Sequence, residues 1–155
     1  MKLRVVALGH RMPEWVVAGW NDYAKRLPRD WPLELVELKP EPRDRGKPIA
    51  HLLQLEAVRI AAACKDATIV ALDERGGAWT TRELAQRLAH WRGEGRDVAF
   101  VIGSADGLAA DVKTRAAAVV SLSALTLPHG LVRVLVAEQL YRAVTLVSGH
   151  PYHRD

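Results

Sequence analysis

The chain has 155 residues, 49% of them hydrophobic and 26% charged, proportions ordinary for one soluble globular domain spanning 1–155 with a substantial core. Its 22 Lys+Arg against 18 Asp+Glu leave a net charge of +4, which leans toward a polyanionic partner without establishing one. A single cysteine, Cys64, excludes an intramolecular disulfide framework and a multi-cysteine zinc site, and a reducing cytoplasm is the expected compartment. The opening residues, MKLRVVALGHRMPEW, hold only a short apolar run broken by charge, so neither a signal peptide nor a membrane span is expected there.

In chain order, residues 2–8 read as a strand and 14–27 as a helix introduced by Pro13. Residues 33–38 alternate apolar and acidic positions, the pattern of a strand with one wet face. The Pro- and charge-rich stretch 39–48 reads as a mobile loop, and 49–64 carries apolar residues at helical spacing. The continuous apolar run 67–72 predicts a strand buried on both faces, followed by a Gly-containing loop over 73–79. Thr80 with Glu83 three residues on forms a capping box that opens a helix to about Arg92. Residues 97–102 predict a second buried strand, 109–118 a weak helix, 119–121 a short strand and 131–147 a final helix. This alternation predicts an α/β fold, a parallel sheet with helices on both faces. Ligands in such sheets bind beyond the carboxyl ends of the strands, so the loops after Leu72, Ile102 and Ser121 are the places to search.

Three segments there are candidates. The loop Gly103-Ser-Ala-Asp-Gly107 allows close backbone approach to a ligand, but it is neither GxGxxG nor a P-loop, and a plain turn fits it equally well. Residues 122–128, Leu-Ser-Ala-Leu-Thr-Leu-Pro, are unusually apolar for a loop; they read either as a strand continuing to Leu127 or as buried backbone that must find hydrogen-bond partners, some of them on a ligand. The last helix is apolar around most of its circumference and needs neighbours on two sides, its own sheet and a second subunit. On it, Glu138 and Arg142 stand four apart in the favourable order for an ion pair. The tail His150-Pro-Tyr-His-Arg154 gathers imidazole, phenol and guanidinium groups; a frayed terminus is the plain alternative. No metal is expected, because no cysteine or acid stands near these histidines at a recognised spacing.

The stretch from Ser121 to Ala143, SLSALTLPHGLVRVLVAEQLYRA, followed by His150-Pro-Tyr-His-Arg154, resembles the RlmH family, the bacterial 23S ribosomal RNA pseudouridine N3-methyltransferases. Residues 2–8 with Met12-Pro13 and Trp15, Leu72-Asp73 with Gly76, and Gly95-Arg-Asp-Val98 before Ile102-Gly103 extend the likeness along the whole chain. The resemblance implies a SPOUT-like sheet with a C-terminal trefoil knot, one of the exceptions to unthreaded chains. It also implies a homodimer, S-adenosyl-L-methionine as cofactor, and ribosomal RNA in the large subunit or assembled ribosome as partner, with no membrane involved. Carried over by position, Leu72, Gly103, Leu122, Ser123, Ala124, Leu125, Thr126 and Leu127 are expected to contact the cofactor. Arg142, Tyr152, His153 and Arg154 are expected to face the RNA, with Arg142, His153, Tyr152 and Glu138 as the catalytic group. Two positions depart from the family pattern: Ser104 stands where a second glycine is usual, and Gly130 where proline is common. A serine needing positive φ would be strained, and Gly130 is expected to loosen the start of the last helix. A knotted methyltransferase acting on another RNA, and a non-catalytic ribosome-binding factor retaining the fold, are the competing readings.

Overall fold

The computed structural model describes residues 1–43 and 46–153. Five strands, β1 (Leu3–Leu8), β2 (Leu33–Leu38), β3 (Ala67–Ala78), β4 (Asp97–Ile102) and β5 (Ala118–Ser121), lie in one sheet ordered β2-β1-β4-β3-β5. Every pairing is parallel, as expected of strands joined through helices. The helices are α1 (Glu14–Ala24), α2 (Ile49–Ala63), α3 (Thr81–Gly93), α4 (Ala110–Arg115) and α5 (His129–Ser148).

The period-2 alternation of strand side chains decides the two layers. Leu3, Val5, Ala7, Val98, Phe100 and Ile102 point to one face, where they pack with Trp20 of α1, Leu88 and Trp91 of α3, and Leu140 and Val144 of α5. Val6, Leu8, Ala99 and Val101 point to the other and meet Ile60 of α2 and Val112 of α4. Cys64 belongs to this second core, where burial pushes its thiol up to about 11, so it is a packing residue. Among the described residues no helix is long and apolar enough to cross a membrane.

Several boundaries differ from expectation. β3 does not end at Leu72: residues 73–76 bulge out, and Gly77 and Ala78 pair again with Val120 and Ser121 of β5. Gly76 is required at this bulge, since a Cβ there would stand 2.7 Å from the Val119 backbone. Nor is β3 sealed on both faces throughout, for only Val70 and Ala71 are fully buried. α1 stops at Ala24, and the chain tightens into bonds from Arg26 N to Tyr23 O and from Leu27 N to Ala24 O. Pro28 explains the early stop, because it disfavours helical backbone in the residue before it. α4 spans only Ala110–Arg115, shorter than its expected 109–118.

α5 starts at His129, ahead of the expected Leu131, with Pro128 at its N-cap and a 3.1 Å bond from Val132 N to Pro128 O. Gly130 does not loosen this start; it lets α1 close in, since a Cβ there would sit 2.9 Å from Val16 Cγ2. Within the chain α5 packs on the sheet, as expected, and also lies between α1 and α3.

Candidate active site

The carboxyl ends of β1, β4, β3 and β5 open into a cleft of about 880 Å³, within the range of small-molecule sites. Leu8, Leu72, Ile102, Val120, Leu127 and Val132 give it an apolar floor. Of the positions expected at the cofactor, Leu72, Gly103, Leu122, Ser123, Leu125, Thr126 and Leu127 line this one cleft, while Ala124 is exposed outside its lining.

Residues 103–107 form one wall as a tight turn, closed by a 2.9 Å bond from Gly107 N to Ser104 O. Gly103 is needed because a Cβ there would come within 2.5 Å of the Gly107 carbonyl oxygen. Gly107 takes φ +85°, but Ser104 is not among the residues with positive φ, so the expected strain does not arise. Its hydroxyl instead donates to Glu56 at 2.9 Å. Glu56, on α2, is 2% exposed and also accepts from Glu41 N at 2.9 Å and Arg43 Nη1 at 2.8 Å. Burial pushes its carboxyl up, but the bonds from Arg43, Glu41 and Ser104 outweigh this and hold it below the usual range. Arg43 reaches on to Asp106 at 3.1 Å, so the described part of the 39–48 loop is pinned to the turn rather than mobile.

The opposite wall is the 122–128 segment, which does not continue β5 as a strand. Its internal ties are side-chain bonds: Ser121 Oγ donates to Ser123 O at 2.8 Å, and Leu125 N donates to Ser123 Oγ at 2.9 Å. Among the described residues no main-chain hydrogen bond joins residues 122–127 to another backbone group. An apolar floor flanked by peptide groups not paired with other backbone suits a flat, heteroatom-rich ligand. Asp73, bonded to Lys113 at 2.8 Å, adds a carboxylate; burial raises its carboxyl, but Lys113 and the Arg75 N–H prevail and keep it low.

Sequence reasoning missed Glu56, Arg133 and His129. A signal existed for the first two, each a charge inside an apolar stripe: Glu56 falls between Leu52 and Ile60 at spacings of four, and Arg133 sits within LVRVLV. Such a charge is buried only when paired.

The expected catalytic group assembles elsewhere. Glu138 Oε1 accepts from Arg142 Nε at 2.8 Å, Arg142 Nη2 at 2.6 Å and Tyr152 Oη at 3.1 Å, while Oε2 accepts from Gln139 at 2.8 Å. The bond to Glu138 raises the Arg142 guanidinium; burial first, then the Glu138 charge, raises the Tyr152 phenol. The Tyr152 ring packs 4.5 Å from that of Tyr141, and the Arg142 guanidinium lies 4.9 Å over it, so the tail is docked and not frayed at this point. His153 keeps a buried Nδ1 without a hydrogen-bond partner among the described residues. Arg154, expected at the RNA, lies outside the described residues. Arg142 stands ten residues beyond Val132, the last cleft-lining residue of α5, a rise of about 15 Å, and none of this group lines the cleft within one chain.

The family model described as "Predicted SPOUT methyltransferase" matches residues 1–153. The chain belongs to the SPOUT methyltransferase family. It is 55% identical over 155 residues to Ribosomal RNA large subunit methyltransferase H of Paraburkholderia xenovorans (strain LB400), covering 99% of each chain. It is 54% identical, with the same coverage, to the protein of that name from Nitrosospira multiformis. Among solved structures it is similar to a probable methylase family protein from Haemophilus influenzae Rd KW20, at a TM-score of 0.64 and 14% identity, covering 99% of this chain and 70% of that one. That likeness carries the SPOUT fold alone.

Proposed function

We propose that this protein transfers the methyl group of S-adenosyl-L-methionine to N3 of a pseudouridine in 23S ribosomal RNA of the large subunit. The observation that carries this reading is the full-length match to the large-subunit methyltransferases, with the expected cofactor positions meeting in one cleft. The cleft fits the cofactor: Leu72, Ile102 and Leu127 would flank its base, and the peptide groups of 122–127 other than Ser123 O and Leu125 N would bond its polar edges. When bound, it supplies an electrophilic methyl group on a positively charged sulfur.

The imide N3–H of pseudouridine is a weak acid, and ionising it near neutral pH costs roughly 3 kcal/mol for a pKa about two units above the medium. Arg142 is suited to lower that cost by facing the flanking carbonyls. Glu138 is already engaged by Arg142, Tyr152 and Gln139, so it holds these groups and is a poor proton acceptor. His153, with its unpartnered Nδ1, is the better base. Arg142, Tyr152, His153 and Arg154 together form the RNA-facing surface.

The separation between the tail cluster and the cleft supports a homodimer in which one protomer's cluster completes its partner's cleft. Exposed Trp15 and Val17 on α1 and Leu125 beside the cleft offer apolar surface for it. The reading includes one domain over 1–155, a trefoil knot and work in the cytoplasm, on ribosomes. The knot is supported by membership of the SPOUT family.

Calorimetric titration with S-adenosylmethionine tests the enzymatic reading. One saturable site per chain is expected; no heat of binding at millimolar cofactor would favour the non-catalytic ribosome-binding factor.

A further inference from the structure

Arg133 is a guanidinium inside the fold, 1% exposed, that bonds the carboxyl-end edge of the sheet and the first residue of its own helix. Nη1 donates to Glu37 of β2 at 2.6 Å, Nη2 to the Gly9 carbonyl after β1 at 2.9 Å, and Nε to Nε2 of His129 at 3.0 Å. Arginine has no acceptor atom, so Nε2 of His129 must be the accepting nitrogen and the ring proton must sit on Nδ1. Nδ1 lies 3.3 Å from the Gly103 carbonyl, where an N–H is the partner required. Burial, then the adjacent Arg133 charge, keeps this ring below the ordinary histidine range, against the opposing pull of the Gly103 carbonyl and of Glu37, so it is uncharged at neutral pH.

We propose that His129 is a positioning residue for the cofactor cleft: Arg133 fixes it as the Nδ1–H tautomer, and that proton holds the Gly103 carbonyl and with it the 103–107 wall. The relay joins three loop ends to the first turn of α5, so the shape of the cleft is set by the same helix that carries Glu138 and Arg142. His129 itself lines the cleft, and a Cβ at Gly9 would stand 3.3 Å from Arg133 Nη2, which leaves the relay no spare room. The inference rests on the cleft's being the cofactor site.

Two substitutions divide the ring's roles. His129→Asn keeps a donor near the Nδ1 position and gives up the bond from Arg133; His129→Gln keeps an acceptor near Nε2 and gives up the bond to Gly103. Calorimetric affinity for S-adenosylmethionine should fall roughly tenfold in His129→Gln, the scale of one lost buried bond, and stay within about threefold of the parent in His129→Asn. In methyl transfer, His129→Gln should raise the cofactor KM with kcat little changed. Equal weakening by both variants, or His129→Gln within about twofold of the parent, would overturn the proposal. If either variant fails to fold, long-range ¹H–¹⁵N spectra of the imidazoles in the unmodified protein decide: an Nδ1–H signature for His129 at neutral pH is expected, and an Nε2–H or charged ring overturns the relay. A parent that binds no cofactor would instead remove the site assignment, while the spectrum would still test the relay.

Discussion

The Ser104 hydroxyl donates to the Glu56 carboxylate at 2.9 Å, joining the turn at the end of β4 to the middle of α2. Where the resembling family has a second glycine, this chain has a side chain that its neighbourhood uses. The same hydroxyl accepts from Arg43 Nη2 at 2.7 Å, so Ser104→Gly removes two hydrogen bonds and should cost about 1–3 kcal/mol, with Glu56 still held by Arg43 and Glu41. Urea unfolding of the two proteins measures this. An unchanged or higher midpoint would show that the hydroxyl contributes nothing.

Glu56 also makes stability depend on acid. Its folded pKa is depressed, so its contribution is complete above the ordinary value of 4.5 and is lost as pH falls through the lower folded value. Glu56→Gln keeps the shape but removes the charge facing Arg43. The variant should be less stable by roughly 2–4 kcal/mol near neutral pH, as when one partner of a buried pair is lost. The gap should narrow below the folded pKa. Melting temperatures across the acid range check the sign, and a gap that widens in acid would contradict it.

Gly103→Ala places a Cβ 2.5 Å from the Gly107 carbonyl oxygen, so the 103–107 turn must shift. The clash is with the protein's own turn, not with a ligand. Cofactor affinity should drop by roughly tenfold or more while the circular dichroism spectrum is preserved. Unchanged affinity would place the cofactor elsewhere.

His153→Gln removes the proposed proton acceptor while retaining most of the side chain's bulk. Methyl transfer to ribosomes should fall by roughly 10²-fold or more, the usual contribution of a general base, with cofactor affinity unchanged. If activity persists, the proton goes to another group, and Glu138 becomes the first to examine.

Periodicity made most of the architecture legible. The alternating stretch 33–38 and the apolar run 97–102 coincide with β2 and β4, and the Thr80–Glu83 capping box is present, with both of its bonds formed, at the start of α3. What escaped depended on contacts between distant segments. β3 continues past its glycines because β5, some forty residues away, offers a second register after the bulge. The described part of the 39–48 loop is pinned at Arg43 because a carboxylate on α2 waits beneath it, a partner that loop composition cannot reveal. The segment proposed for the cofactor was legible as an unusually apolar loop, but its backbone was expected to be buried and most of residues 122–128 are exposed. The gap between the cleft and Arg142 was not, because it depends on the length and direction of α5.

The most direct measurement is mass mapping of 23S ribosomal RNA after incubating the purified protein with S-adenosylmethionine and ribosomes from cells lacking this activity. One methyl group on a pseudouridine, with fragmentation placing it at N3, is the predicted product. A methyl group on another base, or ribosomal RNA of unchanged mass from protein that binds the cofactor, would contradict the account.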